Sequence, residues 1–183
     1  MIQHSVAKGL ITGLGVALLS TSAAAGTFNL GINDDTLDVG LKASLSSTGQ
    51  FSANYLYSET EGKTADLGFQ TVHNAAGKQI ALGVKLMKLW AERRDNGHAV
   101  ALGGDFRMPV APSITAAIAG YYAPTVLSSS GIENYYSIDA KLMYALMPTA
   151  DLYVGYRDVH FKFDTERDLT FAQNFYLGAE LKF

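Results

Sequence analysis

From residue 27 onward the chain divides into segments in which apolar and polar side chains alternate, separated by clusters of turn-forming residues. Phe28, Leu30 and Ile32 share one face before Asp34 and Asp35 turn the chain. Leu37, Val39, Leu41, Ala43 and Leu45 follow, opposed by Asp38, Gly40, Lys42 and Ser44. Phe51, Ala53, Tyr55 and Tyr57 alternate with Ser52, Asn54 and Ser58, and Leu67, Phe69 and Thr71 with Asp66, Gly68 and Gln70. Further apolar rows begin at Ile80, Val100, Ile114, Tyr136 and Leu152. The last row is the longest: Leu169, Phe171, Phe175, Leu177, Ala179, Leu181 and Phe183 fall on one face, interrupted only by Gln173. A strand sends successive side chains to opposite faces, so each segment reads as a ribbon with one greasy and one wet side. At fifteen residues the final segment exceeds the roughly 5–6 of an ordinary strand. It is long enough to cross a bilayer, which takes about 9–11 tilted residues.

The pattern predicts ten strands and no helix between them, an even number, as a bacterial barrel with both termini on the periplasmic side requires. Eight strands with a loose N-terminal hairpin is the alternative count, because the first segment is short. Connections at 47–49, 74–77, 108–112 and 147–150 carry no charge, whereas those at 33–35, 59–63, 92–97, 124–133 and 164–168 are mostly charged or longer. Short periplasmic turns and longer external loops are the expected asymmetry. Charge placement agrees: Lys42, Lys85, Asp105, Arg107, Asp139, Lys141, Glu180 and Lys182 all lie opposite the apolar rows. A Lys or Arg facing mid-bilayer lipid would cost ~2–4 kcal/mol. The reading is therefore an all-β fold, a transmembrane antiparallel up-and-down β-barrel whose wet faces form a lumen charge network.

Two strands resist. Lys88 falls on the Ile80, Leu82, Val84 and Leu86 face, which is tolerable only at a rim beside Trp90. In the ninth strand, Leu152, Val154 and Tyr156 would carry Asp158, His160 and Lys162 onto the lipid side, while Val159, Phe161 and Phe163 look like the lipid face. A bulge near Arg157 that flips the register is the predicted resolution.

Residues 1–25 read as an export signal: a weakly basic start at His4 and Lys8, an apolar run over 9–19, and Ala23 and Ala25 in an A-x-A arrangement. Cleavage before Gly26 leaves one domain, 26–183, with 13 basic against 17 acidic residues once Lys8 is removed. That balance argues against nucleic acid, which wants clustered positive charge. The chain has no cysteine, so disulfides, zinc-thiolate sites and thiol catalysis are excluded.

Tyr55, Tyr57, Trp90, Tyr121, Tyr122, Tyr135, Tyr136, Tyr144, Tyr153 and Tyr156 cluster near strand ends, as two membrane-interface girdles would. Acid and base stand two apart on the wet side at Asp105/Arg107, Asp139/Lys141 and Glu180/Lys182. In so narrow a barrel these predict a polar, largely plugged lumen, with a narrow pore as the sharper reading. Candidate chemistry is sparse. Asp158 and His160 share a face and could serve general-base work, as the Asp-x-His pair of omptin-family proteases does, but an acidic partner pair is missing. A lipid-modifying site could recruit His98 or His160 with Ser128, Ser129 or Ser130. Asp34, Asp35 and Asp38 could at most hold a surface cation loosely. No cofactor is expected, and no metal or catalytic residue is assigned.

Phe28-Asn29-Leu30-Gly31-Ile32-Asn33-Asp34-Asp35 resembles the start of mature YfaZ-family outer-membrane proteins of Gram-negative bacteria. The ending Tyr176-x-Gly178-x-x-Leu181-x-Phe183 is similar to the general signal read by the barrel-assembly machinery. The family resemblance implies an outer-membrane barrel, sometimes called porin-like; with the polar lumen read above, the expected role is structural, adhesive or narrow porin-like. Its implied partners are outer-membrane lipid and lipopolysaccharide, with periplasmic chaperones and the assembly machinery during biogenesis. The family supplies no catalytic residues. A monomer is expected, and an outer-leaflet lipid-modifying enzyme is the alternative.

Overall fold

A computed structural model describes residues 25–92, 95–129, 131–164 and 167–183; the predicted export signal, apart from Ala25, lies outside them. Ten strands form in chain order: β1 (Gly26–Ile32), β2 (Thr36–Ser44), β3 (Gly49–Ser58), β4 (Gly62–Ala75), β5 (Lys78–Ala91), β6 (Gly97–Ala111), β7 (Ile114–Ala123), β8 (Ile132–Met147), β9 (Ala150–Phe163) and β10 (Leu169–Lys182). Each pairs antiparallel with its sequence neighbours, and β1 pairs with β10 from Thr27↔Lys182 to Ile32↔Leu177. The sheet closes on itself. Closure removes both free edges, which matters where no water is present to bond an unpaired backbone group. Ten strands rather than eight is the outcome, because the short β1 is held on both sides, by β2 as well as β10.

Chain polarity gives the barrel two unlike ends. The turn end carries both described chain termini and the tight connections after β2, β4, β6 and β8. Gly77 (φ 77°) follows Ala76 (φ 50°) in the two-residue turn between β4 and β5, where a left-handed backbone suits glycine. The loop end carries the other connections, including a short 3-10 segment at Thr125–Leu127. One of them is locked by Asn33, whose side-chain oxygen accepts from the Asp35 and Thr36 amides at 3.0 and 2.6 Å. Near the turn end β6 runs through Pro109 into Ala111, with a register irregularity at Val110, so the connection predicted over 108–112 is shorter than expected.

Outward-facing rows match the apolar rows of the sequence. Leu67, Leu82, Leu86, Leu142, Leu152 and Leu177 are exposed on the outer wall, and Leu177 keeps 65% of its surface accessible. Such a wall suits hydrocarbon. Of the predicted girdle aromatics, Tyr121, Tyr135 and Tyr153 instead point inward and are buried, while Tyr55, Tyr57, Trp90, Tyr122, Tyr136, Tyr144 and Tyr156 stay on the outside.

The ninth strand corrects the sequence reading most sharply. No bulge interrupts β9 at Arg157: its pairing with β8 is continuous from Asn134↔Lys162 to Ala145↔Asp151. Val159, Phe161 and Phe163 are buried inside the barrel, and Asp158, His160 and Lys162 face out. The bulge sits across the ladder in β10, between Thr170 and Ala172, and it turns Leu169 and Phe171 inward instead of toward lipid. What changes along β9 is the surroundings, not the register. Beyond Tyr156 the wall has left the hydrocarbon, so the loop-end third obeys the rule of a water-soluble barrel, apolar inside and polar outside. Below it the rule is reversed.

This inversion makes depth decisive for charge on the outer wall. Leu82→Arg should destabilise the barrel in lipid vesicles by about 2–4 kcal/mol, and His160→Arg by about 0–1 kcal/mol, measured by denaturant unfolding.

Candidate functional site

The wet faces converge on the lumen, and half of their charges are joined across it, the rest to the same or a neighbouring strand. Lys42 on β2 pairs with Asp105 on β6, four strands round the ring. Arg107, also on β6, makes two parallel bonds of 2.8 Å to Glu180 on β10, a further four strands round. Such a fork matches the two oxygens of a carboxylate, and Glu180 is only 2% exposed. Arg157 on β9 bonds Asp38 on β2 and, through Nε at 3.0 Å, Asp139 on β8. The Tyr176 hydroxyl donates to the same Asp139 at 2.6 Å. Gln70 donates to the Tyr121 hydroxyl at 2.6 Å, and that hydroxyl donates to Asp105 at 3.3 Å.

Shorter links complete the network. Lys85 lies 3.5 Å from Asp66 and 4.1 Å from the Tyr121 ring centroid. Asn54 donates to Asp66 at 2.9 Å, and Asn29 to Asp38 at 3.2 Å. At the turn end Lys182 reaches Asp151 at 2.7 Å. Of the three acid–base pairs predicted from spacing, only Asp139 and Lys141 meet each other, at 3.8 Å. Asp105, Arg107, Glu180 and Lys182 all take partners from other strands. The paired lumen cations are Lys42, Lys85, Arg107, Lys141, Arg157 and Lys182, and their carboxylates are Asp38, Asp66, Asp105, Asp139, Asp151 and Glu180, so the signs balance. Asp38, Asp66, Asp151 and Arg157 were not in the predicted set. Asp38 and Asp66 could have been found from their inward position opposite the apolar rows. Arg157 was hidden by the misplaced bulge. Asp38, weighed as a surface cation ligand, is instead buried beside Arg157.

Two tyrosines and two glycines interlock between β9 and β10. Tyr176 lies opposite Gly155, and Tyr153 opposite Gly178. Each ring occupies the space a Cβ on the facing glycine would need. Tyr153 and Tyr176 also meet edge to face, with centroids 5.8 Å apart. Two members of the predicted assembly signal, Tyr176 and Gly178, thus face the lumen, while Leu181 and Phe183 are exposed on the wall.

Above the network the lumen turns apolar. Leu56, Met87, Leu89, Ile132, Tyr135, Val159, Phe161, Phe163, Leu169 and Phe171 form one buried cluster at the loop end. Leu89, Phe161 and Phe171 are at most 2% exposed. Phe161 contacts both Tyr135 and Phe171, at centroid distances of 4.9 and 6.2 Å. Between cap and network lies a cavity of about 130 Å³ lined by Lys42, Asp66, Lys85, Asp105, Tyr121 and Arg157 among others. That is ample for ordered water beside its polar lining.

The candidate enzymatic residues do not assemble. His98 points outward, and its amide donates to the Ser129 hydroxyl at 3.0 Å, so the contact with that serine is through backbone. Ser130 lies outside the described residues. His160 stacks on Tyr136 at 4.9 Å, with Nδ1 3.3 Å from the Thr170 hydroxyl and Nε2 2.7 Å from Asp158, without in-line hydrogen-bond geometry to the carboxylate.

If Arg157 is the shared tie for two carboxylates, Arg157→Met should cost about 3 kcal/mol, as breaking a buried pair from one side does. Denaturant unfolding of the refolded barrel measures it. Lys162→Gln, which removes an exposed pair with Glu133, should leave the midpoint unchanged.

The family model described as YfaZ precursor matches residues 6–183. A curated relative, outer membrane protein YfaZ of Escherichia coli (strain K12), is 26% identical over 171 residues, covering 92% of this chain and 94% of that protein. Among solved structures, the KdgM porin aligns with a TM-score of 0.48 at 10% identity, over 87% of this chain and 99% of that one. The outer membrane channel DcaP of Acinetobacter baumannii aligns at 0.49 and 11% identity over 88% of this chain, which spans only 60% of the DcaP chain.

Proposed function

The chain belongs to the YfaZ family and is an outer-membrane β-barrel, and from that premise we propose that it acts as a closed structural barrel and not as an open conduit. One observation supports this reading: crossing ion pairs span the middle of the lumen, and an apolar cluster lies at its loop end. An ion entering from the loop end would meet Phe161, Phe171 and Leu89, apolar side chains that cannot replace its hydration shell. A solute that passed the cap would then have to separate bonded charges such as Arg107 and Glu180. The turn end faces the periplasm and the loop end the exterior, following the asymmetry of short turns and longer loops.

An outer-leaflet enzyme would need a nucleophile that the lipid can reach and an imidazole aligned to take its proton. The hydroxyl beside His160 belongs to Thr170, and the stack on Tyr136 gives the imidazole a packing role on the wall. On this reading His98→Ala and His160→Ala both leave a folded, membrane-inserted barrel.

Planar-bilayer recording of the refolded wild-type protein tests the closed state. The expected record shows no discrete conductance steps at moderate voltage. Reproducible unitary steps from the wild type would overturn the reading in favour of a narrow pore.

A further inference from the structure

Charges that point into the lumen are paired, and so is Lys162 on the outer wall, 2.8 Å from Glu133. Two other outer-wall lysines near the loop end, Lys63 and Lys88, have no ion-pair partner among the described residues. Both are exposed. Register places Lys63 opposite Trp90, and Lys88 opposite Ala65 on one side and His98 on the other. Lys63, Lys88, Trp90 and His98 therefore share one patch of wall across β4, β5 and β6. Residues directly opposite on adjacent strands hold their Cβ atoms about 4.5–5.5 Å apart and diagonal ones about 7–8 Å, within reach of long side chains. The two ammonium groups and the imidazole can converge on a single anion.

The patch sits at a defined depth. Below it, Leu86, Val84 and Leu82 continue the apolar row of β5. Lys88 Nζ lies 5.4 Å from the Trp90 ring centroid, and a tryptophan on such a wall marks the boundary between acyl chains and headgroups. Lys63 and Lys88 are diagonal neighbours on adjacent strands, and an anion between them would relieve the repulsion of their like charges. The nearest carboxylates along the chain, Glu61 and Glu92, sit in the connections beyond the strand ends. They belong to residues bonded to each other through backbone, Glu92 N to Glu61 O at 3.2 Å.

We propose that this patch binds the phosphate-bearing sugar headgroup of an outer-leaflet glycolipid, with Lys63 and Lys88 on the phosphate and Trp90 at the acyl boundary. Charge complementarity selects an anion, and depth selects one that is tethered at the headgroup level. The inference rests on the loop end facing outward but not on whether the lumen conducts. A conductance record and a lipid-binding result can therefore fail independently.

Native mass spectrometry of the folded barrel, released from detergent after incubation with defined lipids, tests it. Wild-type protein should retain diphosphorylated lipid A about fivefold better than the dephosphorylated form, the scale of a few exposed charge contacts. The variant Lys63→Gln with Lys88→Gln should lose that preference, while Lys162→Gln keeps it. A shift between unheated and boiled samples on a denaturing gel checks that each variant is folded. If the double variant does not fold, the wild-type comparison of the two lipids decides alone. Equal retention of both lipids, a preference that survives the double substitution, or equal retention of cardiolipin would each overturn the assignment. So would displacement of lipid A by millimolar inorganic phosphate, which would make the patch a site for the free ion.

Discussion

The outer wall of this barrel has to suit two solvents along one axis, and the rest of the structure follows from where they meet. Below the level of Tyr156 and Leu86 the wall touches hydrocarbon, so its rows are mainly apolar and the charged groups of the strands turn inward, with Thr71 and His73 the outward polar residues of β4 toward the turn end. Above that level the wall touches water and headgroups, and the preference reverses: Asp158, His160 and Lys162 face out while Val159, Phe161 and Phe163 pack inside. The strands cross this level without a break in β9. Between β8 and β9 the ladder runs on unchanged and the side chains register the change of solvent, whereas in β10 a bulge at Phe171 accompanies it.

Within the hydrocarbon zone the inward polar groups cannot be left single, because an uncompensated charge in a narrow lumen is costly. The solution is a set of ties that cross the barrel, Lys42 to Asp105, Arg107 to Glu180 and Arg157 to Asp38. A well-packed apolar lumen could be as stable as one filled with such pairs. An apolar lumen would, however, make both faces of each strand greasy and leave nothing to fix which face goes to lipid. The balance of signs serves register as much as stability. The facing Tyr176/Gly155 and Gly178/Tyr153 pairs do the same job by shape.

Strand number, closure and most of the outward rows were legible in the sequence because a period of two survives along most of each strand and, within the hydrocarbon zone, charges keep to one side of it. Partner identity was not. Alternation says that Arg107 points inward, but only the curvature of the closed sheet brings it to Glu180 on β10, so spacing along a strand suggests a pair with Asp105 that the fold replaces. The apolar cap was missed for a different reason. On the assumption of one solvent along the whole strand, Val159, Phe161 and Phe163 read as a lipid face, and a bulge at Arg157 is then needed to bring them there. The real bulge, at Phe171, lies where Leu169 and Phe171 seemed to continue a regular row, so alternation gave no sign of it.

The position of the solvent boundary on β9 is the most direct test of this account, and a chain without cysteine makes it accessible. Single cysteines at 154, 158, 159 and 161, each carrying a fluorophore or nitroxide in the vesicle-inserted barrel, would report contact with lipid-borne and water-borne quenchers. The account predicts that 154 meets the lipid quencher, 158 meets the aqueous one, and 159 and 161 meet neither. Lipid contact at 159 and 161, with 158 shielded from both, would contradict it.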